Sequence, residues 1–296
     1  NAMFTLSDAQ TEITAYGSTK STSSWYVGKT YGEIWGYRTD RLYQKSDFVY
    51  NGDEIVQVWA KDGKYVADFV PGEPSPVAGA KQMNKLSDPK GIYQDYFQSG
   101  NYRFGPGDPK FKDLNGDGKI SDADKEYCGS GIPSLEANFN LSASYKGFDF
   151  SAVIGSAWNY KLYNGNKYFY EGMNSKSNML KSTLDAWTPQ NTNTNVPRAV
   201  YQDPNGNMKE SDRFLENGDF VRLRQVQLGY TLPKSLLQSM HIDKLRFYVS
   251  GENLFTITGY DGIDPEFSRS SVLNTGIDNL IYPFTRSFTV GAQLTF

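Results

Sequence analysis

An all-β, antiparallel, long-stranded sheet is the fold class this sequence predicts, and its strands suit the wall of a transmembrane β-barrel better than a water-soluble sandwich. Leu245 to Ile257 alternates with period two: Leu245, Phe247, Val249, Phe255 and Ile257 lie on one side, Arg246, Tyr248, Ser250, Glu252 and Thr256 on the other. Residues 287–296 repeat the pattern, with Phe288, Val290, Ala292, Leu294 and Phe296 on the apolar side. Strands of about ten residues, apolar on one face only, are longer than most soluble strands and match a bilayer crossing.

Composition agrees with that class. Hydrophobic residues make up 38% of the chain and mean hydropathy is -0.58. Those values exclude a helical membrane protein but suit a barrel, whose loops and inner faces meet water. Aromatic residues, at 15%, are abundant enough to belt two membrane interfaces. A net charge of -3 offers no basic field for nucleic acid. The single Cys128 cannot form an internal disulfide, and with one histidine, His241, it leaves no Cys/His metal site.

Taken in order, Asn1-Ala2-Met3 reads as an expression-tag remnant, which leaves residues 4–296 as the body of the chain. Phe4 to Lys29 reads as an extended segment running into a strand, and Tyr31 to Gln44 as strand-like. Ile55 to Ala60 and Tyr65 to Val70 flank Asp62-Gly63, a strong hairpin signal. Residues 77–102 read as loop with a helical turn around Asp88 to Gln94. Leu135 to Trp158 is the cleanest hairpin, turning near Gly147. Residues 159–217 then form a long excursion with no strand until Gly218. The connection from Pro233 to Asp243 is short, with helical turns in SLLQSM, and the one from Gly259 to Tyr282 is long. Short and long connections alternate as periplasmic turns and extracellular loops do. That order puts the 113–124 loop, the long excursion and YDGIDPEF together on the outside.

Phe220 to Leu232 breaks the alternation, since Val221 and Leu223 are out of phase with Val226, Leu228, Tyr230 and Leu232. A β-bulge near Arg224 and Gln225 would cause this slip. The alternative leaves Arg222 and Arg224 outward among lipid headgroups.

The sharpest chemical motif is the loop from Asp113 to Asp124. Asp113, Asn115, Asp117, Ser121 and Asp124 supply oxygens at positions one, three, five, nine and twelve, Lys119 its carbonyl at seven, and Gly118 the tight turn at six. This is the layout of an EF-hand calcium loop, because a hard divalent cation needs oxygens converging on one point. Asp124 stands where EF-hands prefer glutamate, and a bare Asn-Gly-Asp-Gly turn is the competing reading. Tyr160, Tyr163, Tyr168, Phe169, Tyr170 and Trp187 either stack on sugar rings or contact a lid protein, or else pack their loop on itself. No phosphate loop, HExxH or GxSxG motif is present, and His241 falls in a turn. Asp261 and Asp264 could mimic a glycosidase dyad, but their loop offers no apolar wall to raise one pKa, which favours a non-catalytic role. The chain does not read as an enzyme.

GDFVRLRQVQLGYTLPKSLL, then LRFYVSGENLFTITGYDGIDPEF and the closing Phe296, resemble the C-terminal barrel segment of SusC/RagA-type TonB-linked outer-membrane proteins. The resemblance continues upstream through PGDPKFKDLNGDGKISDAD, IPSLEANFNLSASYKGFDFS and LDAWTPQNTNTNVPR, and more loosely through IWGYRTDRLYQ. It implies an outer-membrane active importer of glycan or peptide fragments, energised through TonB and paired with a SusD-like surface lipoprotein. Family members carry an N-terminal plug and a barrel of about 22 strands. This chain would then hold roughly the last third of the barrel without the plug, its apolar faces turned to outer-membrane lipid. The rival reading is a secreted, calcium-stabilised, β-rich carbohydrate-binding or adhesion module.

Overall fold

The computed structural model describes residues 1–8, 12–14, 27–91, 105–238, 242–267 and 275–296. His241, much of the Phe4 to Lys29 stretch and the end of the expected helical turn near Gln94 lie outside the described residues. The chain divides into two units. One comprises Asn1–Ile34, Gly129–Asn164 and Glu216–Phe296, the other Trp35–Cys128 and Gly165–Leu215.

Six strands make the main sheet of the first unit: β1 (Ala2–Ser7), β2 (Leu135–Tyr145), β3 (Phe148–Trp158), β4 (Phe220–Thr231), β5 (Lys244–Thr258) and β6 (Ser287–Thr295). They stand side by side in chain order, each antiparallel to the next. Ala2 and Met3, read from the sequence as tag, lie within β1 and pair with Leu141 and Asn140. Lys146 and Gly147 join β2 to β3 at φ of 46° and 89°. Two left-handed residues give a hairpin turn whose twist matches that of its strands.

Register carries apolar against apolar across the sheet. Phe4 opposes Phe139, Phe139 opposes Ile154, Ile154 opposes Leu223, and Leu223 opposes Phe255. Nearer the hairpin, Phe148, Tyr230, Phe247 and Ala292 form one row, with the Phe148 and Tyr230 rings 4.5 Å apart. Directly opposed residues share a face, so Phe139, Phe247, Val249 and Val290 stand on a common side. That side is bare: Phe288 is 78% and Val290 83% exposed. Short connections join the strands at the Phe148–Tyr230–Phe247 end, and long ones at the Ala157–Phe220–Thr258 end.

The phase slip in β4 is a bulge. Val153 pairs with Gln225 and Ile154 with Leu223, so Arg224 is the extra residue. The bulge restores a single apolar face, with Val221 and Leu223 beyond it and Val226, Leu228 and Tyr230 before it. Arg222 therefore does not point outward among headgroups. It lies on the polar side and is 2% exposed. Arg224 rests over Gly155, where a Cβ would come within 2.0 Å of its Nε.

Residues 159–217 hold more regular structure than expected. Lys161–Asn164 is a strand that pairs in parallel with Ile277–Asp278, and a helix, Gly165–Tyr170, follows at once. The strand is only four residues long, too short for its alternation to show, although it buries Leu162 and Asn164. Ala157, Tyr160, Leu162, Phe220, Tyr260 and Phe267 make an apolar core at this end of the sheet.

In the second unit, Gln57–Lys61 pairs with both Lys64–Asp68 and Lys81–Asn84. The Asp62-Gly63 hairpin is as expected, with φ of 53° and 70°. Lys81–Asn84, expected as loop, is a strand because Met83 buries fully beside Val58, a tertiary gain that outweighs the weak strand propensity of KQMN. Tyr43, Phe48, Val58, Ala60, Met83 and Leu86 form one core, and Tyr37, Phe111 and Ile120 another.

A carboxylate with no solvent exposure ties the loops of this unit. Asp108 accepts from Arg198 Nε and Nη2, both at 2.7 Å, from Gly105 N at 2.8 Å, from Asn205 Nδ2 at 3.0 Å and from Asn207 Nδ2 at 2.8 Å.

Lys209 Nζ stands 4.3 Å above the Tyr37 ring, whose hydroxyl donates to Asp122 at 2.9 Å. Burial pulls the Lys209 pKa from 10.5 down to about 7, against the attraction of Asp122. Between pH 7 and 10.5 the unfolded chain then holds this proton more tightly than the folded one, so stability rises with pH across that window. Urea unfolding at pH 7 and pH 9 is expected to show the rise, and Lys209→Met to remove this group's share of it.

Candidate functional site

The loop after β5 is fastened to the polar side of β4. Arg222 ion-pairs with Asp264 and donates from Nε to Thr256 Oγ1 at 2.9 Å. Glu266 receives Arg224 at 2.8 Å and lies 3.5 Å from Arg222. Asp264 also accepts the backbone N–H of Glu266 at 2.9 Å and of Phe284 at 3.1 Å. The Arg222 guanidinium spreads its donors over Thr256 and Asp264 while Arg224 holds Glu266, and these charge-assisted contacts make a stiff joint. Asp264 is thus consumed by Arg222, and Asp261 instead donates its N–H to Glu216 at 2.9 Å. The two do not face each other as a hydrolytic pair.

Tyr260 anchors the start of the same loop. Its hydroxyl donates to Asp278 Oδ2 at 2.8 Å, and burial followed by that bond pushes its pKa upward. Tyr160 Oη donates to the Pro265 carbonyl at 3.2 Å. A cavity of about 410 Å³ opens beside the joint, with Glu136, Tyr160, Arg224 and Glu266 in its wall.

The candidate aromatic residues fall in both units, Tyr160 and Tyr163 in the first, Tyr168, Phe169, Tyr170 and Trp187 in the second. Tyr160 is 4% and Trp187 9% exposed, and both serve packing. Trp187 lies against Gly107, where a Cβ would come within 2.6 Å of the ring, and its Nε1 reaches Gln44 Oε1 at 3.4 Å. Tyr163 and Tyr170 are half-buried. Tyr168 packs edge-on to Phe169 and Phe214, leaving Phe169 52% exposed.

The 113–124 loop is folded by its own amides. Asp113 accepts from Gly116 N at 2.7 Å and Gly118 N at 2.8 Å, and Asn115 from Asp117 N at 2.8 Å. Asp117 accepts from Lys119 N at 2.9 Å, and Asp124 from Leu114 N at 2.9 Å and Ser121 N at 2.7 Å. The Lys119 side chain turns away to Asp62, whose carboxyl it holds below its usual pKa. Among the described residues, no three His, Cys, Asp or Glu side chains are gathered as a metal cage. The Asp62-Gly63 turn docks on this loop so closely that a Cβ on Gly63 would lie 1.8 Å from the Gly118 carbonyl oxygen.

Sequence reasoning missed the Asp108 hub and a second buried pair, Arg213 with Glu171, at 9% and 2% side-chain exposure. Their side-chain partners are 42 to 99 positions apart, so no local spacing announces them.

No family model matches the chain. It is 34% identical over 224 residues to TonB-dependent receptor P3 of Formosa agariphila, covering 69% of this chain and 21% of that one. To TonB-dependent receptor SusC of Bacteroides thetaiotaomicron it is 28% identical over 188 residues, 63% of this chain and 17% of that one. The fold matches the structure of the RagAB peptide transporter with a TM-score of 0.64 at 22% identity, over 100% of this chain and 27% of that one. The chain spans about a fifth of the length of the curated relatives it matches.

A sequential antiparallel sheet with one bare apolar face, matched to such proteins, is the wall of an outer-membrane β-barrel. More particularly, the chain corresponds to a barrel segment of the SusC/RagA-type TonB-dependent receptors, as its motifs imply.

Arg222→Met is expected to destabilise the first unit by about 3–5 kcal/mol, because Asp264 is left buried without its cation. Adding Asp264→Asn should restore part of the loss, as chemical denaturation would measure. Gly63→Ala is expected to lower the unfolding midpoint of the second unit, both because of the close approach to Gly118 and because alanine is strained at positive φ.

Proposed function

We propose that this chain belongs to an outer-membrane active importer for glycan or peptide nutrients, energised through TonB and working with a SusD-like surface lipoprotein. The carrying observation is the register that keeps Phe139, Phe247, Val249 and Val290 on one bare face, as a lipid-contacting barrel wall requires. That face argues against the secreted adhesion module, which would have to cover it with protein. The SusC receptor among its relatives, and RagAB among structures of like fold, support the lipoprotein partner. The plug and the TonB-contacting segment would lie in other parts of the longer protein.

Tagging the full-length protein in its native host and purifying it in detergent is expected to bring down a surface lipoprotein. Disrupting its gene is expected to abolish growth on one glycan or peptide source and spare growth on simple sugars. A protein recovered from the medium, with growth unaltered on every polymer, would count against import.

Calcium in the 113–124 loop is proposed on its residue types: the oxygens that accept amides there keep further lone pairs for a hard cation. Calorimetric titration with millimolar calcium is expected to give a saturable heat that Asp117→Ala removes. A flat titration of the unmutated protein leaves a turn held by its amides alone.

A further inference from the structure

The cavity of about 410 Å³ beside the joint on β4 has a side that the joint does not use. Every residue in its wall belongs to the first unit, and its volume falls in the range of small-molecule sites. It lies over the polar side of the sheet, where the register sets Glu136 beside Ala157 and Ala157 beside Phe220. Directly opposed residues share a face, so Glu136 stands next to a side chain too small to cover it. Ala157 and Phe220 are closed into the core. Tyr31, Ile132 and Pro133, across the cavity, are only half-buried and leave apolar surface open to a solute.

Charge in this wall is uneven. Arg224 is held by Glu266 at 2.8 Å, and Glu266 together with Asp264 also answers Arg222. Two guanidinium groups against two carboxylates leave the joint neutral. Glu136 is the acid outside that balance. It is exposed, and among the described residues its carboxylate enters no hydrogen bond and no ion pair. An anion entering the cavity would meet Glu136 and Glu266 against Arg224 alone, whereas a cation meets an open carboxylate.

We infer that this cavity binds an organic ammonium group carried on a short apolar stem, with the Glu136 carboxylate as its counter-ion and Tyr31, Ile132 and Pro133 along the stem. An ammonium brings three donors and no acceptor, which suits a carboxylate whose acceptor sites are all open. The lysine side chain of a peptide and an amino sugar both present this chemistry. The inference rests on the import reading only for where such a ligand comes from, since binding is measured without transport.

The test is ligand-observed NMR titration of the full-length receptor in detergent, at mildly acidic pH where amine and carboxylate are both charged. The probes are Nα-acetyl-lysine methylamide with its uncharged analogue Nα-acetyl-norleucine methylamide, and glucosamine with glucose. At least one ammonium probe is expected to bind about fivefold more tightly than its uncharged analogue, the upper end for an ion pair that keeps contact with water. Added salt should shrink that advantage. An advantage confined to the lysine probe identifies peptides as the source, one confined to glucosamine identifies amino sugars, and one shared by both shows that the ammonium alone is read.

Glu136→Gln is expected to remove the advantage without lowering the unfolding midpoint, since that carboxylate holds no other described side chain. Glu73→Gln, at an exposed acid of the second unit, is expected to leave it intact. The proposal is overturned if neither ammonium probe outbinds its analogue, if the advantage survives Glu136→Gln, or if Glu73→Gln lowers it equally. Absent binding with the growth defect of the disrupted gene intact would sink this site alone, and specific binding without a growth defect would sink import alone.

Discussion

One surplus residue in β4 sets the terms for the whole first unit. Without the bulge at Arg224, either Val221 and Leu223 or Val226 and Leu228 would fall on the polar side, and the apolar face would split midway. The bulge keeps that face continuous and sends Arg222 inward. Arg222 then needs an anion, because a guanidinium at 2% exposure is costly when unpaired. Asp264 and Glu266 supply it from the loop after β5. Strand register, buried charge and loop position therefore follow from the same irregularity.

Glycines make room for this arrangement. Gly155 lies beneath Arg224, and Gly229 beneath Arg246, which bridges to Asp149 at 2.9 Å across β4. Gly291 similarly receives the ring of Tyr248. The long polar side chains can thus lie along the sheet instead of standing up from it.

The sheet was legible in the sequence because period-two alternation is local and runs for many residues, as in Leu135 to Tyr145 and Leu245 to Ile257. The bulge was legible too, as a break in that alternation. Lys81–Asn84 and Lys161–Asn164 were not, since four residues show no period and their stability comes from Met83 and Leu162 entering distant cores. Tyr160 and Trp187 looked like candidates for ligand contact because an aromatic side chain reads the same whether it packs inward or faces a solute. The joint on β4 was half visible: the arginines stood out, but their partners lie 42 residues away in a loop whose course no local rule fixes.

The Asp108 hub has a consequence for motion. Its five donors come from Gly105, Arg198, Asn205 and Asn207, so neither the segment around 105–108 nor the one around 198–207 can lift away without stranding a buried carboxylate. Opening is then cooperative, with the backbone amides of both segments exchanging with solvent as one foldon rather than fraying one by one. Loops held this way behave as a rigid plate, and whatever docks on them meets a surface of fixed shape.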